Sequence, residues 1–159
     1  MDITSRLEFA APPAQVYAML TDQAYLEEVC VASHSVAYSA SVEGNVTRTE
    51  RTLPAPESAA RFTGPHLVVH DETTWGPDQG DGSRRAEIRL TVAGQPVSMN
   101  ATMSLAPDGS RSVVTLTGDL KAAIPLLGRK IEQSAAPAVM AGFRTQQQVG
   151  NDWLNRNAG

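Results

Sequence analysis

Apolar and polar positions alternate with a period of two from the start of the chain. Ile3, Ser5, Leu7 and Phe9 fall on one face and Thr4, Arg6 and Glu8 on the other, the pattern of a half-buried strand. Pro12-Pro13 ends that strand and suits the first turn of a helix, where a missing N–H costs nothing. Val16, Met19 and Leu20 give this helix an apolar face. Thr21-Asp22 supplies the cap of a second short helix, in which Tyr25, Leu26 and Val29 recur at helical spacing. From about Ser35 the period returns to two: Val36, Tyr38, Ala40 and Val42 alternate with small polar residues, and Glu43-Gly44-Asn45 turns the chain into a strand over 46–53. Residues 54–63 read as a loop. Residues 66–75 read as a strand, closed by Trp75-Gly76-Pro77 and the reversal Asp78-Gln79-Gly80-Asp81-Gly82.

Three further strands carry the clearest alternation. Ala86, Ile88, Leu90 and Val92 oppose Arg85, Glu87, Arg89 and Thr91; Val97, Met99, Ala101, Met103 and Leu105 repeat the pattern, as do Val114, Leu116, Gly118 and Leu120. Their connections, Ala93-Gly94-Gln95-Pro96 and Ala106-Pro107-Asp108-Gly109-Ser110, are turn chemistry. Hairpin-linked strands of this kind form an antiparallel sheet with one wet face. Beyond Pro125 the spacing becomes helical: Leu127, Ile131, Ala135, Ala138, Gly142, Val149 and Trp153 lie near one stripe, which Val139 and Phe143 widen. The order is strand, two short helices, six strands and a long helix, an α+β arrangement. One sheet and one long helix bury both apolar faces only against each other.

Composition narrows the function. At 159 residues the chain reads as one domain spanning 1–159, large enough to bury most of its unfolded surface. Hydrophobic residues make up 42% and charged residues 19%, which argues for a packed core. The formal net charge is −4 with Lys and Arg scattered along the sequence, so the positive footprint that nucleic acid requires is missing. No apolar run approaches the roughly 20 residues of a membrane span, and Met1–Arg6 lacks the basic-then-apolar order of a signal peptide. The expectations are a cytoplasmic protein, monomer or homodimer, with no stable membrane insertion. The single cysteine, Cys30, lies in the apolar run Val29-Cys30-Val31-Ala32 and reads as a buried inert thiol. No GxSxG elbow, Walker loop, GxGxxG, HExxH or paired-cysteine motif is present, so no cofactor and no metal is expected. His66 and His70 share a strand face, but four residues of strand separate them by roughly 13 Å, too far for one ion.

The opening Phe9–Asp22 (FAAPPAQVYAMLTD), the six strands and the long terminal helix resemble the START/polyketide-cyclase-like superfamily, also called SRPBCC or helix-grip. Ile124-Pro125-Leu126-Leu127-Gly128-Arg129-Lys130-Ile131-Glu132 looks more narrowly like the uncharacterised bacterial branch, domain of unknown function 2505. The resemblance implies a curved antiparallel sheet of about seven strands gripping the C-terminal helix, with a pocket between them for lipids, polyketides or other apolar molecules. Some relatives use that pocket for cyclisation, dehydration or hydrolysis and others for carriage. It implies no catalytic residue on this chain.

The residues themselves point to the same hollow. Ser134-Ala135-Ala136-Pro137-Ala138 and then Ala141-Gly142 place small side chains where bulky ones would fill a core, and Pro137 removes the hydrogen bond to the Gln133 carbonyl. With two Trp, three Tyr and three Phe as filler, such a helix would leave a cavity of several hundred Å3, within the roughly 300–1,000 Å3 usual for small-molecule sites. The expected lining is Leu20, Arg51, Val69, Asp71, Trp75, Ile88, Leu90, Met99, Met103, Leu116, Pro137, Ala138 and Gly142. The methionines would serve as adaptable wall or as irregular core. Arg51 reaches the cavity if Thr47, Thr49, Arg51 and Leu53 face inward; the other register exposes it and buries Arg48 and Glu50. Of the two faces of 66–75, Leu67, Val69, Asp71, Thr73 and Trp75 form the more apolar. Three readings follow: carriage of an apolar small molecule; an enzyme of the cyclase, dehydratase or hydrolase kind using Arg51, Asp71 and His70, or a His70–Glu72 couple; and an interaction module pairing through a sheet edge.

Overall fold

A computed structural model describes residues 1–158, with Ser58 and Phe62 described in the backbone only. β1 (Asp2–Phe9) buries Ile3, Leu7 and Phe9, as its alternation requires. α1 (Pro13–Leu20) starts with Pro13 in its first turn and turns Val16 and Met19 inward. α2 (Gln23–Ala32) is capped by Asp22, whose carboxylate accepts the Ala24 N–H at 2.8 Å. It ends in a Schellman motif: Ser35 N–H donates to the Cys30 carbonyl and His34 N–H to that of Val31, with His34 at φ 61° in the place usually taken by glycine.

Six strands follow: β2 (Ala37–Glu43), β3 (Val46–Pro54), β4 (His66–Trp75), β5 (Arg84–Val92), β6 (Val97–Asp108) and β7 (Arg111–Ala122). The segment expected as a loop holds α3 (Glu57–Thr63). Its signals are Pro56 at the start, Ala59 and Ala60 within, and Gly64 at φ 84° just past the end; seven residues are too few for an apolar period to show. The strands form one curved antiparallel sheet in the order β1-β7-β6-β5-β4-β3-β2.

α4 (Gly128–Arg156, 29 residues) runs unbroken through Pro137 and spans roughly 43 Å at 1.5 Å per residue. Its C-terminal half is fastened to β1, an edge strand whose backbone groups need partners. Glu8 N–H donates to Gln147 Oε1 at 2.8 Å and Ala10 N–H to Asn151 Oδ1 at 2.9 Å, while Asn151 Nδ2 donates to the Glu8 carbonyl at 2.9 Å. Gly150 lets the helix come against Phe9 and Met19, and Tyr25 Oη donates to the Gln146 carbonyl at 2.9 Å. Buried Ser112 donates to the Ala11 carbonyl at 2.7 Å and ties β7 to the β1–α1 turn. This is the helix-grip architecture.

Candidate ligand-binding site

Between α2, the C-terminal half of α4 and the sheet lies a hollow of about 70 Å3. Its apolar walls include Leu7 and Phe9 of β1, Leu20 of α1, Trp75 of β4, and Leu26 and Val29 of α2. Its polar side comes from β3 and β4. Side chains two apart share a strand face, so Thr47, Thr49 and Arg51 point inward beside Asp71 and Thr73, leaving Arg48 and Glu50 exposed. The β3–β4 register sets Thr49 opposite Asp71 and Arg51 opposite Val69. Arg51 is therefore a diagonal neighbour of Asp71, roughly 7–8 Å away along the pleat.

That offset leaves two inward ionisable groups within electrostatic reach but out of contact. Among the described residues, the ion pairs of β3 and β4 join Arg48 to Glu43 and Glu72, and His70 to Glu50; Arg51 and Asp71 form none. Arg51 Nε is buried without a hydrogen-bond partner. Burial pushes the Asp71 carboxyl above its ordinary range, opposed by the charge of Arg51 and by a long hydrogen bond from Thr73 Oγ1 at 3.4 Å. Cys30, 1% exposed, lies against the same hollow, and burial raises its thiol.

Of the residues expected to line a cavity, Leu20, Arg51, Asp71, Trp75 and Met103 meet at this hollow. Val69, Met99 and Leu116 are buried in the core away from it, and Leu90 packs partly buried against that core. Ile88 is likewise buried, and borders an open groove of about 650 Å3 on the outer face of the sheet, among Glu72, Thr74, Glu87, Arg89 and Asn100. Pro137 and Ala138 are corrected: both are exposed, because the buried face of α4 runs through Ala136, Phe143, Gly150 and Leu154. Gly142 is half-buried with open space where a Cβ would stand. The hollow is also several-fold smaller than expected. His70 is exposed and lies 3.6 Å from Glu50 across the strands, not coupled with Glu72, which accepts from Arg48 at 2.8 Å. Sequence reasoning missed the contributions of α2, of Val114 and of Gln146. Leu26 and Val29 were legible as a helix's apolar face, but the sheet residues they meet depend on how α2 packs.

A curved seven-stranded antiparallel sheet wrapped on one long C-terminal helix is a START-like fold. Residues 4–154 match the family described as protein of unknown function (DUF2505), and the chain belongs to that family. Uncharacterized proteins of Mycobacterium bovis and Mycobacterium tuberculosis are 25% identical over 138 residues, 86% of this chain and 78% of theirs. Among solved structures, a Thermus thermophilus protein is 17% identical, covers 100% of both chains and has a TM-score of 0.68. The Zhui aromatase/cyclase of Streptomyces sp. R1128 is 11% identical over 100% of this chain and 96% of its own, with a TM-score of 0.68. A STAR-related lipid transfer protein from Xanthomonas axonopodis is 14% identical over 97% and 85%, with a TM-score of 0.65. At these identities the likeness is one of fold.

Proposed function

We propose that the chain binds a small molecule with an apolar body and an oxygen-bearing head, the head lying between Arg51 and Asp71. The observation that carries this reading is the pair itself. Arg51, whose Nε is buried without a partner, lines a hollow together with a carboxyl that it does not touch. Leaving such a group unsatisfied costs about 1–3 kcal/mol, and an acceptor on a ligand removes that cost. Thr47 and Thr49 add hydroxyls to the head site, and Leu20, Leu26, Val29 and Trp75 supply the apolar surround.

A hollow of about 70 Å3 takes the head alone, so the body enters as α1 and α2 move outward. Helices of 8 and 10 residues are held by packing more than by their own propensity, which makes them the elements that yield. The neighbours named for aromatase/cyclase and lipid-transfer activity support a ligand of lipid or polyketide character. Cytoplasmic location remains part of this proposal.

The test is displacement of a fluorescent long-chain carboxylate by unlabelled carboxylates. The wild-type chain binds the probe, and Arg51→Met weakens binding about tenfold or more, the loss of a charge-assisted hydrogen bond. Equal binding by both proteins refutes the placement of the head. A second reading, turnover with Asp71 as an acid–base group, is favoured by its raised carboxyl. It requires product formation that Asp71→Asn abolishes while probe binding persists.

A further inference from the structure

The turn between β7 and α4 carries the most exposed large apolar side chain of the fold. Leu126 is 104% exposed and Leu127 37%. Leu126 also sits at φ 67°, a left-handed conformation that is unfavourable for a residue with a Cβ. The turn is nonetheless firmly held. Ala123 N–H donates to the Pro96 carbonyl and Gly128 N–H to that of Ile124, each at 2.8 Å. Glu132 Oε2 accepts the Ala122 N–H at 3.0 Å, and the Ala122 carbonyl lies so close to Gly128 that a side chain there has no room. Two leucines are thus presented on a rigid tip.

Three cations flank that tip along the chain. Lys121, Arg129 and Lys130 are exposed, and none enters an ion pair among the described residues. No Asp or Glu occurs between Leu120 and Ile131. The flanking acids, Asp119 and Glu132, are both engaged by the Met1 ammonium, at 3.0 and 3.4 Å. A chain of net charge −4, whose basic residues look scattered in sequence, therefore gathers a local positive rim around an apolar point.

We propose that the Leu126-Leu127 turn docks on the surface of an anionic lipid bilayer, the leucines entering the headgroup–acyl boundary while Lys121, Arg129 and Lys130 meet lipid phosphates. Charge complementarity favours this occupant. So does size: two leucines fall far short of the roughly 1,200–2,000 Å2 of a stable protein interface, whereas a bilayer requires no matching shape. Such an interaction is peripheral and reversible, and no helix among the described residues is long and apolar enough to cross a membrane.

The test is co-sedimentation of the full chain with phosphatidylcholine vesicles, with and without one-quarter phosphatidylglycerol, at low and high salt. The chain associates with the anionic vesicles at low salt and is released by high salt. L126S/L127S weakens partitioning at least about tenfold, and R129Q/K130Q at least about fivefold. Leu126→Gly, which relieves the backbone, lowers binding without lowering the melting temperature, so that lost docking is separated from lost folding. Wild-type protein that stays in the supernatant, or variants that sediment like it, overturn the proposal. So does self-association abolished by L126S/L127S, which would assign the tip to a second copy of the chain.

Discussion

Arg51 and Asp71 are predicted to weaken the empty protein, and replacing both should make it more stable. Each stands inward on its strand, diagonal to the other and too far for an ion pair. The double substitution R51M/D71N roughly keeps the volume of both side chains while removing the orphaned Nε and the half-buried ionisable carboxyl. Deleting one such buried donor is worth about 1–3 kcal/mol. For a domain of this size each kcal/mol moves the melting temperature by about 2–4 °C. The double variant should therefore melt about 2–12 °C above the wild type at pH 7 in calorimetry. Each single variant should fall below the double, because Arg51→Met leaves the Asp71 carboxyl without a nearby cation and Asp71→Asn leaves the Arg51 guanidinium without a nearby anion. The double-mutant cycle isolates that coupling. A double variant that melts below the wild type refutes the reasoning: the two groups would then be structural, not held ready for a ligand.

Four other outcomes follow from the structure. Gly142→Ala adds a methyl group where nothing stands within 4 Å and should stabilise by about 0.8–1 kcal/mol through helix propensity. In the same helix Gly150→Ala places a Cβ 2.5 Å from Phe9 Cε1 and 3.0 Å from Met19 Cε, so overpacking outweighs propensity and the net loss is about 1–2 kcal/mol; chemical denaturation of both variants reads the opposite signs. The Asp71 carboxyl is raised in the folded state above its ordinary 3.8, so the folded chain binds that proton more tightly than the unfolded one. Its stabilising contribution is complete below pH 3.8 and is lost as pH rises through the folded value. The melting temperature of Asp71→Asn relative to the wild type should then be highest near neutrality and fall on acidification, and a constant difference would contradict it. His34→Gly should raise stability by about 0.5–1 kcal/mol, because glycine occupies the left-handed end of α2 without cost, as thermal melts would show.

The strands were legible because alternation survives folding: a residue's parity in β3 or β4 decides its face, and Thr47, Thr49, Arg51, Asp71, Thr73 and Trp75 all turn inward. α4 was legible as a helix, but its buried side was not. The small residues at 134–142 suggested a thin roof, whereas the buried positions Ala136, Phe143, Gly150 and Leu154 are chosen by the close approach of Gly150 to Phe9 and by the Gln147 and Asn151 hydrogen bonds to β1. Pro137 and Ala138 lie about 100° and 200° around the helix from Ala136, enough to leave both in solvent. The size of the hollow was beyond sequence reasoning for the same reason. It depends on how α2, with Tyr25, Leu26 and Val29, settles on β2 and α4 across the hollow from β1 and β4, a matter of tertiary packing and not of any local pattern.

The most direct test is native mass spectrometry of the wild-type chain and its Arg51→Met variant, purified in parallel from the native host and then incubated with a lipid extract. The wild type should carry an additional small-molecule mass with an oxygenated head, and the variant should carry it at much lower occupancy. If both proteins show only the polypeptide mass before and after incubation, the hollow at Arg51 and Asp71 is not a ligand site.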